Sequence, residues 1–240
     1  MKFLKALLLS GIIVLVVSCS GDSTQTEVPQ KGTLKITSAL PQTVVKTMAA
    51  KLKDDGILGQ NIDSIVVGSV RILISELKLF SVNIERPLDD NVQKTGPFVL
   101  NFDGSQVELL ITSGLLPVGL YDKVKFEFHR FSASELPTYQ NDPVFKDFAT
   151  SDRYSVIIRG IYFIGNKPTA FTYNGTVTAN LMLNILPPLQ VAVNTVIVMQ
   201  LNVNASDVFK KGSTVLDPTD SKNINDIDNN IKAAIKAVKK

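Results

Sequence analysis

An all-β fold, mainly antiparallel and arranged as a single β-sandwich, is predicted from three observations. From Gly32 onward, apolar residues recur at every second position, the period of half-buried strands. The turn-forming pairs Asp103-Gly104 and Asn174-Gly175 stand between such runs and predict hairpins, because both residue types tolerate the positive φ of a type I′ turn. About nine such runs follow at short spacing with no internal repeat and no second domain boundary.

The chain begins with a basic segment (Met1-Lys2-Phe3-Leu4-Lys5) and an apolar run from Ala6 to Val17, 12 residues long. A membrane-spanning helix needs about 20 apolar residues, so this run reads as an export signal rather than a span. It ends on Val16-Val17-Ser18-Cys19, and Cys19 is the only cysteine of the chain. These four residues resemble the lipobox of bacterial lipoproteins. The resemblance implies removal of a signal peptide, residues 1–18, and attachment of acyl chains such as palmitate to Cys19. Two or more chains hold a protein firmly where one holds it marginally. Ser20 follows the cysteine instead of Asp, which by resemblance to enteric sorting rules implies an outer-membrane location.

Loss of Lys2 and Lys5 leaves 23 basic against 22 acidic residues, a formal net charge near +1. That balance lacks the basic excess of a nucleic-acid-binding protein, so no nucleic-acid partner is expected. With Cys19 acylated the domain has no internal disulfide, so its stability must come from a buried core.

Residues 19–31 read as the lipidated cysteine and a flexible tether, and residues 32–240 as the domain. Strands are predicted at about 33–38, 64–80, 97–102, 105–112, 119–131, 154–164, 168–173, 177–185 and 189–203. In 64–80 the apolar parity slips, which places a bulge at Gly68 or at Ser75-Glu76. In 154–164 both faces are apolar, as in a strand near the middle of a sheet. Pro187-Pro188 is read as the break between the last two runs, since proline cannot donate to a ladder. The run 189–203 reads as one long strand, with Leu189, Val191, Val193, Thr195, Ile197, Met199, Leu201 and Val203 on its core face.

Helical spacing appears twice. One short inserted helix is predicted over 41–55, with Pro41 early and Gly56 past its end. A C-terminal amphipathic helix is predicted over about 223–239, with an apolar stripe of Ile224, Ile227, Ile231, Ile235 and Val238. Its acids (Asp226, Asp228) fall in the first turns and its lysines in the last, complementing the helix dipole. The stripe is expected to dock on the sandwich rather than on lipid.

Asp103-Gly104, Val107-Glu108-Leu109-Leu110 and the run from Gly114 to Tyr121 resemble a stretch of uncharacterised bacterial lipoproteins. Those proteins carry a domain of unknown function with a transthyretin-like or immunoglobulin-like sandwich. The segments Asp207-Val208-Phe209, Leu216-Asp217-Pro218 and Asn229-Asn230-Ile231 are similar to their ends. The resemblance implies the fold over most of 32–240 and brings no activity with it.

Catalytic chemistry has few carriers. His129 is the only histidine, so any nucleophile pair must use it, with Ser132 or Ser134 as the nearest candidates. His129 itself reads as a solvent-facing residue beside Lys123, Lys125 and Glu127. Calcium could be held only by acid clusters, Asp89-Asp90 or Asp217, Asp220, Asp226 and Asp228, which read instead as turn and cap residues. There is no tryptophan, and Tyr139, Phe145 and Phe148 read as an anchor that tucks the 132–152 loop onto the sandwich.

The expectation is therefore a lipid-anchored, non-catalytic binding or envelope-structural module with no catalytic residues, metal or cofactor. It would contact the membrane through acylated Cys19 and meet an envelope protein or a glycan. The alternatives are a weak carbohydrate- or calcium-dependent adhesion module and, third, a glycosidase using two carboxylates alone.

Overall fold

The computed structural model describes residues 30–39, 44–46, 62–82, 92–103 and 109–239. Along the chain run β1 (Lys31–Ala39), β2 (Val44–Lys46), β3 (Ser64–Ser81), β4 (Val92–Thr95), β5 (Phe98–Asp103), β6 (Leu109–Pro117) and β7 (Gly119–Phe128). A short helix α1 (Leu136–Tyr139) precedes β8 (Val156–Ile164), β9 (Lys167–Gly175), β10 (Ala179–Val191) and β11 (Val196–Val203). The chain ends with α2 (Ala205–Val208), the small ribbon β12 (Lys210–Lys211) and β13 (Thr214–Val215), α3 (Ile224–Ala234) and β14 (Ile235–Lys239).

These strands form the all-β, sandwich-like fold that the alternation predicts. The smaller sheet has the order β14-β11-β1-β6, antiparallel except for the parallel β1–β11 pair. The larger follows β10-β7-β3-β8-β9, with β2, β4 and β5 also paired to β3. Alternate residues of both sheets meet in the main core: Ile36, Met199 and Leu201 from the small sheet, Ile72, Ile74, Leu100, Phe126 and Ile158 from the large. Lys31, placed with the tether by sequence, already belongs to β1.

β3 organises the large sheet. One flank takes β8 along Ser64–Ile72 and β7 along Ile74–Ser81, so those two strands lie end to end. The other flank takes β5 and β4 in one continuous register. The register slips at Gly68 against β8 and at Ser75 against β7, so both of the alternative places that the sequence parity offers for one bulge carry a shift. At the second, the Ser75 hydroxyl donates to the Glu127 carbonyl at 2.9 Å. Gly96 lies so close to that bulge that a Cβ would sit 2.3 Å from the Ser75 oxygen.

Several expectations are corrected. Val44–Lys46, inside the helix predicted over 41–55, is an edge strand paired with Ser64–Val66; its two β-branched valines suit a ladder opposite Ile65 and Val66. The rest of 41–55 lies outside the described residues. The 189–203 run is not one strand. Asn194 takes φ +57, and Thr195 Oγ1 accepts from the Ala192 N–H at 3.1 Å, forming a turn that carries the chain from the large sheet to the small one. That turn exposes Val193 and Thr195.

Pro187-Pro188 does not break a strand. Both lie within β10, an edge strand, where the register against β7 slips between Asn184 and Leu189 and no ladder bond is demanded of them. Asn174-Gly175 is paired ladder, opposite Ile157 and Val156. The reversal is at Gly165-Asn166, with φ +55 and +65, the geometry of a type I′ turn. Asp103 ends β5 in the large sheet and Leu109 opens β6 in the small one; the hairpin predicted at Asp103-Gly104 falls on residues from Gly104 to Glu108, which lie outside the described ones.

The C-terminal helix ends at Ala234, short of the predicted 239. Ile235–Lys239 instead adds to the β11 edge, opposite Val203–Met199, where the β-branched Ile235 and Val238 suit a strand. Within α3, Ile227 and Ile231 are buried in the main core and Ile224 is exposed. The docking of the stripe thus holds for its middle.

Candidate functional site

Residues 129–155 leave the large sheet between the abutting ends of β7 and β8 and fold back over its outward face. Outward-pointing Leu73, Val99 and Ile157 meet Phe131, Phe148 and Ala149 there, in an apolar cluster separate from the main core. Leu136, Tyr139, Phe145 and Tyr154 pack around it. Phe131 stacks on Tyr139 with ring centroids 4.3 Å apart, and Phe145 meets both rings edge-on. The Leu73 N–H donates to the Ser155 carbonyl at 2.8 Å, tying the base of the excursion to β3.

Polar groups then fix its shape. Arg71, next along the outward face of β3, lies 5.0 Å above the Phe148 ring, pairs with Asp147 and donates to the Val144 carbonyl at 2.8 Å. Asp142 Oδ1 accepts from the N–H of Val144 and of Phe145. Glu135 Oε2 accepts from both the N–H and the hydroxyl of Ser132, and these bonds lower the Glu135 pKa. What remains at the surface is mostly polar, with Ser134, Thr138, Gln140 and Asn141 exposed beside Val144.

Tyr139, Phe145 and Phe148 therefore hold the loop down, as the sequence predicts. One face of the Tyr139 ring is taken by Phe131, and Phe145 meets the ring edge-on. His129 is exposed just beyond β7. Among the described residues no hydrogen bond joins it to Ser132 or Ser134, and the Ser132 hydroxyl is committed to Glu135. Cys19 and Asp89-Asp90 lie outside the described residues.

The acids of 217–228 do not converge. Asp217 accepts from Thr219, Asp220 caps the Lys222 N–H, Asp226 pairs with Lys211 at 2.9 Å, and Asp228 accepts from the Tyr173 hydroxyl at 2.6 Å. Among the described residues no three His, Cys, Asp or Glu side chains gather where they could hold a metal ion. Burial raises both Tyr173 and Asp228, and their bond is a dock between β9 and α3. Gly175 completes that dock, since a Cβ there would lie 3.0 Å from Asp228 Oδ1.

Past the reach of the loop, the outward face of the large sheet is closed by charge. Glu127 bonds Lys125 at 2.8 Å and Lys78 at 2.9 Å, and Lys78 also pairs with Glu76. The two lysines hold Glu127 down to about 2, and the two glutamates raise Lys78. Each of these four charges is already matched within the face.

The loop itself carries no motif, yet its landing place left a mark. Ile72-Leu73-Ile74, Phe98-Val99-Leu100 and Val156-Ile157-Ile158 are places where alternation gives way to three buried apolar residues in a row. Register brings them side by side: Leu73 opposite Val99, and Ile157 beside Arg71. Three adjoining two-sided runs on neighbouring strands mark a face that something must cover. Compared with protein-family models, curated proteins and solved structures, the chain has no match.

Proposed function

We propose that the chain is an exported, lipid-anchored lipoprotein of the cell envelope that binds rather than catalyses, held at the outer membrane through acylated Cys19. Residues 129–155 are its presenting surface. The observation that carries this reading is the excursion's independence. It is ordered by its own apolar cluster and by Arg71, so its mostly polar surface is displayed on that base without the main core taking part. Preorganised loops of this kind bind at low entropic cost. The resemblance to uncharacterised bacterial lipoproteins, seen in the run from Gly114 to Tyr121, is consistent with that role.

The test has two arms. Cys19→Ala is expected to abolish incorporation of labelled fatty acid and to release the protein from outer-membrane fractions of a density gradient. A photo-crosslinking residue at Thr138 or Gln140, in the anchored protein in its native envelope, is expected to give discrete adducts that the same probe at Thr169 on β9 does not. Equal labelling from all three positions, or turnover of a glycan by the purified protein, overturns the reading.

A further inference from the structure

We propose that the end of the sandwich at which the chain enters is seated on the lipid surface, so that a rim of aliphatic side chains orients the domain in addition to the anchor. This rests on the reading of Cys19 as the acylated residue.

Five of the ten large hydrophobic side chains exposed among the described residues gather at this end: Val82, Leu115, Val118, Val193 and Val196. Leu115 and Val196 are directly opposite Thr33 on its two sides, and they point outward because Leu116 and Ile197, next in each strand, are buried. They are 62% and 58% exposed, so most of each side chain meets solvent. Val118 and Val193 sit at the corners. The Val118 N–H donates to the Gln30 carbonyl and the Asn194 N–H to the Lys31 carbonyl, both at 3.1 Å. Val82, at the same end of the large sheet, donates its N–H to the Leu120 carbonyl at 2.8 Å. The rim is thus fixed by backbone bonds around the entry point, with exposed Lys31 among it to meet lipid phosphates.

The length of chain identifies the occupant. Cys19 precedes Gln30 by eleven residues, which span at most about 40 Å when fully extended. β3 runs 18 residues from the far end to this one, about 55 Å at strand rise. Of the two ends, only the one carrying Gln30 is within reach of a bilayer that holds Cys19. Aliphatic side chains on that end are therefore brought to the interface by the anchor and lose their contact with water there. Among the described residues, the Gly165-Asn166 turn and Lys167 at the far end are exposed and carry no large apolar side chain.

The chain contains no tryptophan, so Leu115→Trp or Val196→Trp installs a single fluorophore in the rim, and Ile161→Trp, at an exposed position toward the far end, supplies the control. The full-length lipidated proteins are reconstituted into phosphatidylethanolamine–phosphatidylglycerol vesicles with brominated acyl chains. Emission from positions 115 and 196 is expected to shift to the blue and to be quenched several-fold, while that from 161 is unchanged. Vesicle-bound protein in which 115 and 196 are quenched no more than 161 overturns the inference. So does a blue shift without quenching, the mark of a second copy or another protein covering the rim. Flotation separates this from the anchor reading. If the Cys19 protein floats but positions 115 and 196 are quenched no more than 161, the seated rim falls and the anchor reading stands. If the unsubstituted Cys19 protein does not float at all, both fall.

Discussion

The outward faces of the two sheets start from the same alternating strands and end differently. On the large sheet, Leu73, Val99 and Ile157 are covered by the 129–155 excursion, and the neighbouring strip is closed by Glu76, Lys78, Lys125 and Glu127. On the small sheet, Thr33, Lys35, Leu115 and Val196 face outward with nothing from the described residues over Leu115 and Val196. An apolar side chain on a sheet's outer face is stable there when the chain itself supplies a cover; otherwise it is left for another phase or partner. The difference separates residues that maintain the fold from residues free to serve an interface.

The sharpest break of this comparison lies inside the small sheet. Leu201→Asp puts a charge with no partner into the main core and is expected to cost about 4 kcal/mol or to prevent folding. Val193→Asp, ahead of β11 and on the exposed turn, is expected to change stability by less than about 0.5 kcal/mol. Urea melts of the two decide whether the turn lies at 192–195; equal losses would restore a single strand through 189–203.

Next comes the covered face against the bare one. Phe148→Ala empties the centre of the second cluster and takes away the ring under Arg71, for an expected loss of about 3 kcal/mol. Leu115→Ala removes a side chain of similar chemistry from the bare face and should fall within about 0.5 kcal/mol. Hydrogen exchange sharpens this further, since Phe148→Ala should deprotect amides of 129–155 before those of β3.

A smaller effect is expected from the polar clamp. A double-mutant cycle of Arg71→Ala and Asp147→Ala should give a coupling energy of about 1 kcal/mol, typical of a partly exposed pair. Arg71→Ala alone should cost more than Asp147→Ala, because it also loses the Phe148 ring and the Val144 carbonyl.

The smallest and most specific effect is on pH dependence. Glu127 is held down to about 2 by Lys125 and Lys78. A carboxyl whose pKa is lower folded than unfolded contributes stability above its unfolded value, near about 4.3, and loses it as pH falls toward the folded one. Stability should therefore decline between about pH 4.5 and pH 2, and Glu127→Gln should flatten that limb while leaving the neutral range little changed. An unchanged acid limb would show that the charged strip does not act as a network.

Much of the fold was legible because burial on one side forces alternation. The strands, the parity slip at Gly68 or Ser75-Glu76, the exposure of His129 and the interior position of 154–164 all follow from that pattern. The candidate surface was legible only in part. Its anchors Tyr139, Phe145 and Phe148 could be recognised as apolar residues in a polar loop, but their partners could not, since Leu73, Val99 and Ile157 come from three strands whose register the sequence does not state. The long run 189–203 was misread for a related reason. Its odd-numbered parity passes unbroken from Val191 to Ile197 because the turn between β10 and β11 keeps the two strands in phase, so periodicity carried no sign of a change of sheet.

By itself, then, the chain determined the period-two core, the places where its parity slips and the apolar stripe of α3. Those are local properties, set by which side chains avoid water and which backbone angles a residue tolerates. Tertiary structure decided the rest: that Asn174-Gly175 is ladder and Gly165-Asn166 the turn, that Ile235–Lys239 leaves the helix to pair with β11, and that one outer face is covered while the other has no cover among the described residues. Each of these depends on which strand edge or apolar face stands free nearby, a quantity that exists only once distant parts of the chain have met.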